Sequence, residues 1–244
     1  LTALCRAPVK IGLDPARARE FNWVVNNHHL PKRPVNHVQE HFLEFLDYLQ
    51  IPQEPVEWNL GPWSAERPWQ EEFFHSLPRP RVALVAGTSN PRKDWLPERW
   101  VELNDRLHLD FKLTTVLVGA QTSREVALGQ RMAAECRHPP VNALGSGLRR
   151  LVAILDGCDL VISPDTGPLH LAGALGKSVI GLYGYNSPAR VGPWRQDPRL
   201  LVDAFHDPGE NPQMTFTHRP GRMPKISVAD VLARVKFWAQ SQKR

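Results

Sequence analysis

Cysteine is scarce in this chain, three in 244 residues. Cys5, Cys136 and Cys158 are odd in number and far apart, which argues against a disulfide framework or a cysteine metal cluster, so reduced, largely buried thiols are expected. No run approaches the roughly 18 apolar residues of a membrane-spanning helix. The opening Leu1-Thr2-Ala3-Leu4-Cys5-Arg6 lacks the charged-then-apolar order of an export signal, and a cytoplasmic location is expected. Internal repeats and low-complexity tracts are absent. Two nucleotide signatures are missing as well: the Walker order Gly-x4-Gly-Lys-Ser/Thr, and Gly-x-Gly-x-x-Gly after a strand, whose absence disfavours a Rossmann-type oxidoreductase.

What is present is a globular composition, 42% hydrophobic with a net charge of +5. The basic residues are scattered, without RNP-like or zinc-finger spacing, so nucleic acid is not an expected partner. The excess suits an anionic small molecule or an anionic membrane surface.

Residues 1–50 hold a strand-like Val9-Lys10-Ile11-Gly12, a loop with Asn26-Asn27-His28-His29, and a helical pattern whose Val38, Phe42, Phe45, Leu46 and Leu49 share a face. One strand and one helix cannot bury a core, so residues 1–78 read as the remnant of a domain plus an interdomain segment. Pro52, Pro55, Pro62, Pro68, Pro78 and Pro80 mark that segment as a junction. Its Trp58, Trp63 and Trp69 pack against the junction or stack on a sugar.

From Arg81 the pattern becomes regular. Strands are expected at 82–86, 113–118, 141–144, 160–162 and 179–183, and helices at 96–107, 123–136, 148–155 and 168–175. This βαβα order gives a doubly wound parallel sheet with helices on both faces. Ser227-Val228-Ala229-Asp230 resembles a capping box opening a last helix, 227 to about 240, with Val231, Val235 and Trp238 on one face. Lys243-Arg244 suits its C-terminus.

Three βα loops carry chemistry, and ligands of open α/β sheets bind at the carboxyl ends of strands. In Ala86–Pro97, Gly87 lets a ligand approach the backbone, Thr88 and Ser89 offer hydroxyls, and Arg92 or Lys93 can neutralise a phosphate. In Val118–Glu125, Ser123 is placed to cap a helix and Glu125 to hold a ribose. The third loop, Asp165-Thr166-Gly167, joins a carboxylate, a hydroxyl and a helix N-terminus suited to phosphate, with His170 one turn on. Thr166 alone could be a helix cap and Asp165 a turn former, but neither role explains His170.

Asp165-Thr166-Gly167-Pro168-Leu169-His170-Leu171-Ala172-Gly173-Ala174-Leu175-Gly176, continued by Gly181-Leu182-Tyr183-Gly184-Tyr185-Asn186-Ser187-Pro188-Ala189-Arg190-Val191-Gly192-Pro193, resembles the long motif of the ADP-heptose:lipopolysaccharide heptosyltransferases, glycosyltransferase family nine. Arg92–Trp100 is similar to that family's Lys-x-Trp-Pro-x-x-x-Trp loop with one residue inserted, and Asn142–Leu148 to its Asn-Leu-x-Gly-x-x-x-Leu segment. The resemblance implies a GT-B fold: a complete C-terminal Rossmann-like domain at 79–226, an N-terminal acceptor-side domain only partly present, and a helix at 227–244 packing back on the N-terminal part, against residues before Pro80. It implies inverting, metal-independent transfer of a heptose from an ADP-sugar, a substrate and not a cofactor, to a lipopolysaccharide core or other glycan acceptor at the inner face of the cytoplasmic membrane. By the same resemblance Thr88, Ser89 and Lys93 contact the diphosphate and sugar, and Asp165, Thr166, Gly167 and His170 position the heptose and its phosphates. The family's base, an aspartate in an early N-terminal loop, has no match in this chain. A donor-binding but catalytically incompetent fragment is the alternative expectation.

Overall fold

A computed structural model describes residues 2–212 and 214–242, which fall into two compact units, 1–57 and 58–244. The junction segment from Trp58 onward therefore belongs to the second unit, and the division comes some twenty residues earlier than the proline pattern suggests.

The first unit contains β1 (Ile11–Gly12), α1 (Asn22–Val25), β2 (His28–His29) and α2 (Val38–Tyr48), with β1 and β2 paired in parallel. Its centre is charged. Arg17, 2% exposed, donates from Nε to Asp14 Oδ2 at 2.5 Å, from Nη1 to both Glu44 oxygens at 2.8 Å and from Nη2 to the Pro31 carbonyl at 3.1 Å. This trio sets the orientation of α2. Its buried residues are His41, Leu43 and Glu44, whereas Phe42 is 61% exposed and Leu49 50%. The apolar stripe expected at Val38, Phe42, Phe45, Leu46 and Leu49 is thus not the buried face. Seating Glu44 on Arg17 turns Phe42 outward.

The second unit is built as α3 (Arg67–Phe74), β3 (Arg81–Val85), α4 (Pro97–Phe111), β4 (Thr114–Val118), α5 (Ser123–Glu135), β5 (Val141–Asn142), α6 (Leu148–Gly157), β6 (Leu160–Pro164), α7 (Gly167–Ala174), β7 (Ser178–Tyr183), α8 (Pro188–Val191), β8 (Val202–Asp203) and α9 (Val228–Ser241). Its strands pair in parallel in the order β5-β4-β3-β6-β7-β8. Counted within the unit this is 3-2-1-4-5-6, the doubly wound order whose switch point lies between the first and fourth strands, here β3 and β6.

Two apolar layers cover the sheet, and the strand residues alternate between them as the pleat requires. Val82, Leu84, Leu160, Ile162, Ile180 and Leu182 face α4, α5 and α9, where Trp100, Leu103, Met132, Val231, Val235 and Trp238 are buried. Ala83, Val85, Val161, Val179 and Tyr183 face α6 and α7, joined by Phe74 of α3. With both faces covered, each strand can be apolar throughout. That is why the strands were readable as continuous runs.

Two expectations need correction. The apolar face of α9 is filled by the second unit's own core, because β7 and β8 need cover on that side of the sheet. The helix does begin with the expected capping box, Ser227 with Asp230; Lys243 and Arg244 lie outside the described residues. The segment after Trp58 also contains a helix, α3, with Pro68 in its first turn, where a missing N–H costs nothing. Gln70 Nε2 ties it to the Ala153 carbonyl of α6 at 2.6 Å. The junction tryptophans have packing partners: Trp69 stacks on Phe73 at 5.0 Å, Trp58 meets Trp194 edge-on, and Arg149 lies over Trp63. Among the described residues no helix is long and apolar enough to cross a membrane.

Candidate active site

Four loops at the carboxyl ends of β3, β4, β5 and β6 enclose a cavity of about 680 Å³, within the range of small-molecule sites. The loop after β3 supplies Gly87, Thr88 and Ser89, the loop after β4 Gly119 to Thr122, the loop after β5 Gly145 and Gly147, and the loop after β6 Asp165 to Pro168. The three loops singled out in the sequence therefore do share one sheet edge, at the topological switch point. A fourth, after β5, joins them.

The N-termini of α6 and α7 border this cavity. Gly147 is the N-cap of α6 and provides no side-chain cap; at φ +81° any other residue there would be strained, and a Cβ on Gly147 or Gly167 would meet nothing within 4 Å. The uncapped backbone at the start of α6 and the positive end of the α7 dipole give the wall positive character, favourable for a phosphate.

Asp165, two residues before Gly167, is the charged group of that same β6–α7 loop. Its Oδ2 accepts from Lys93 Nζ at 2.7 Å and from Asn186 Nδ2 at 2.5 Å, and Oδ1 lies 3.5 Å from His170 Nε2. Burial alone would raise the carboxyl pKa, but the hydrogen bonds from His170, Lys93 and Asn186 and the charge of Lys93 outweigh it and bring it down to about 2. The carboxylate is ionised and pairs with the Lys93 ammonium. Thr166 is the N-cap of α7, accepting from the Leu169 N–H at 3.4 Å and meeting Ser163 Oγ at 2.8 Å. Thr166 thus caps the helix, as one reading of the sequence has it, while Asp165 beside it lines the cavity.

The other sequence candidates divide. Ser89 is exposed on the cavity wall. Thr88 is not an open hydroxyl: its Oγ1 lies 2.6 Å from Asp94 Oδ1 and from the Asn90 carbonyl, its N–H donates to the same Asp94 oxygen, and Asp94 is paired with Arg124. It shapes the loop that presents Lys93.

Glu125 borders the cavity but is committed to capping α5. The N-cap is Thr122, not Ser123. Glu125 accepts from the Ala120 and Thr122 N–H groups at 3.0 Å each and from Thr122 Oγ1 at 2.7 Å. Its side chain also fills the space expected to admit a ligand over Gly87: a Cβ there would lie 2.2 Å from Glu125 Cγ, and one on Gly119 2.5 Å from Oε1. These two glycines make room for Glu125.

Asn186 and His218 were not among the expected site residues, yet Asn186 touches Asp165, and its Oδ1 lies 2.7 Å from His218 Nδ1. Asn186 stands in the family-like motif without an assigned role. His218 sits in an irregular loop far along the chain and left no local signal.

The arrangement combines a cavity of small-molecule size, two helix N-termini on its wall and an ionised carboxylate, paired with Lys93, that can accept hydroxyl hydrogen bonds. The lipopolysaccharide core heptosyltransferase OpsX of Haemophilus influenzae is 30% identical over 220 residues, 90% of this chain and 62% of that protein, so the chain spans less than two thirds of that relative. Two solved structures share the fold: a glycosyl transferase family 9 protein from Veillonella parvula (TM-score 0.74, 20% identity, covering 96% of this chain and 68% of that one) and the E. coli heptosyltransferase WaaC with ADP (TM-score 0.63, 22% identity, covering 94% and 66%). The model of glycosyltransferase family 9 (heptosyltransferase) matches residues 1–208, and the chain belongs to that family.

Proposed function

We propose that the second unit binds an ADP-activated heptose and that the protein transfers the heptose to a lipopolysaccharide core acceptor, with inversion and without a metal. The observation that carries this is the Lys93–Asp165 pair, 2.7 Å apart, whose aspartate lines the same cavity as two helix N-termini. In the proposed step the acceptor hydroxyl oxygen bonds to the anomeric carbon as the bond from that carbon to the β-phosphate oxygen breaks, and ADP departs with the electron pair. Lys93 and the N–H groups at Gly147 and Gly167 stabilise the negative charge that grows on the leaving diphosphate. Asp165 accepts hydrogen bonds from sugar hydroxyls and fixes the sugar for in-line attack. The acceptor proton goes to a base that the reading assigns to the acceptor-side domain and to none of the residues around this cavity. A structure of the related WaaC holds ADP, and another ADP-2-deoxy-2-fluoro heptose, which supports the choice of nucleotide. The net charge of +5 supports work on an anionic acceptor at the cytoplasmic membrane face.

Calorimetric titration with ADP, UDP, GDP and ADP-heptose tests the reading. ADP and ADP-heptose bind, ADP-heptose the tighter. Lys93→Ala weakens both by about 1.5–3 kcal/mol, the worth of a charge-assisted hydrogen bond, and Asp165→Ala removes the advantage of the sugar nucleotide over ADP. Equal binding of all three diphosphates, or of none, overturns the proposal.

A further inference from the structure

Three side chains from three separate segments form a chain of contacts that starts at the cavity-lining Asp165 and ends at the exposed His218, and their chemistry allows one arrangement. Asp165 is ionised, so both of its oxygens only accept. Asn186, 2.5 Å from Oδ2, must therefore present its amide nitrogen to Asp165. Its amide oxygen then faces His218 Nδ1 at 2.7 Å, and His218 has to carry hydrogen on Nδ1 and donate it. Each partner fixes the orientation of the next.

His218 is firmly mounted. Its ring stacks on Tyr185 with centroids 4.9 Å apart and planes 16° apart, and Tyr185 is 9% exposed. The next residue, Arg219, donates its backbone N–H to the Tyr185 carbonyl at 3.0 Å. The Arg219 guanidinium makes two bonds to Glu210, at 2.7 and 2.6 Å, and a third to the Phe205 carbonyl. The connection between β8 and α9 is thereby clamped onto the segment after β7.

We propose that His218 is a positioning residue of the donor site, acting through Asn186 on Asp165. The inference rests on the donor-binding reading above. Lys93 and Asn186 together occupy Oδ2, so the carboxylate cannot rotate without breaking one of these bonds. Oδ1, approached by His170 at 3.5 Å, is left with acceptor capacity and becomes the atom that receives a sugar hydroxyl. His218 itself touches no substrate. Its effect falls on recognition of the sugar, while the nucleotide diphosphate is held by Lys93 and the helix N-termini.

The test compares ADP with ADP-heptose by calorimetry on the 244-residue chain. His218→Phe keeps a ring to stack on Tyr185 and removes the Nδ1 donor; it weakens ADP-heptose about tenfold, equivalent to about 1.4 kcal/mol, and shifts ADP less than about twofold. His218→Asn, whose amide nitrogen reaches the position of Nδ1, recovers most of the loss. Asn186→Ala reproduces the His218→Phe pattern, and the double variant is no worse than Asn186→Ala alone, because members of one relay are not additive. A purely structural role predicts equal losses for ADP and ADP-heptose, no recovery in His218→Asn, or additive losses, and any of these overturns the inference. Unchanged ADP-heptose binding in His218→Phe also overturns it while leaving the donor reading intact. If the unaltered chain binds neither nucleotide, the donor reading itself fails and the relay with it.

Discussion

The two units are held together by opposite means. In residues 58–244 two continuous apolar layers enclose a parallel sheet whose strands are buried on both faces. In residues 1–57 the buried set is mostly polar, with Asp14, Arg17, Asn26, His41 and Glu44 below 9% exposure beside Leu30 and Leu43, while Phe21, Val24 and Phe42 are 60% or more exposed. Apolar burial is tolerant and additive in area. A buried charge trio is conditional, stable only while every member is ionised and in place.

The largest expected effects break each unit by its own mechanism. Trp100 is fully buried and meets Trp95 edge-on at 5.0 Å, so Trp100→Ala should lower the stability of the second unit by about 3–5 kcal/mol. Arg17→Ala should destabilise the first unit by about 3 kcal/mol, because it strands two buried carboxylates. Hydrogen exchange separates the two: amide protection falls across 58–242 in the first variant and across 1–57 in the second. Uniform loss over the whole chain in either variant would dissolve the contrast.

Acid sharpens the comparison. Asp165 has its carboxyl held at about 2 against about 3.9 in an unfolded chain, a difference worth about 2–3 kcal/mol. A depressed carboxyl contributes fully above the unfolded value, so this share of the second unit's stability is present above about pH 4 and is lost as pH falls through about 2. Urea midpoints measured from pH 7 down to pH 2 should show that loss, and Asp165→Asn should flatten it. Asp14 is shifted in the same direction: burial raises its pKa, and the hydrogen bonds and charge of Arg17 more than compensate. The first unit should therefore also weaken in acid.

The smallest effect is a difference in reactivity. Cys5 is exposed, and Cys136 and Cys158 are buried, with thiols pushed up by burial to about 11 and about 12. Alkylation at pH 8 should modify Cys5 in the folded chain, and the other two only after denaturant is added.

Legibility in the sequence follows the same division. The strands and helices from Arg81 to Tyr183 were readable because apolar layers leave periodic traces. β8, two residues long, is below the length at which alternation can register. α3 is hidden because Pro68 stands among the prolines that mark the junction, although the first turn of a helix tolerates it. In α2 the periodicity was real but misleading, since ion pairing with Arg17 decided which face turned inward. At the site, Asp165, Lys93 and His170 were found together as expected. The capping role of Glu125 is legible by spacing, since Thr122-x-x-Glu125 is a capping box. Asn186 and His218 lie 32 positions apart, and no local pattern joins an amide to an imidazole over that distance.

The packing of Glu125 against Gly87 and Gly119 also constrains how this sequence can change with time. Alanine at position 87 would put its methyl 2.2 Å from Glu125 Cγ, and the glutamate cannot swing aside while three donors hold its carboxylate. Replacing Glu125 first removes the obstacle at 87 and relieves the tightest contact at 119, though at the cost of the α5 cap. Substitutions at 87 and 125 are therefore accepted in one order and refused in the other. Two loops far apart in the chain are thereby bound to one order of change, set by a side chain that both must accommodate.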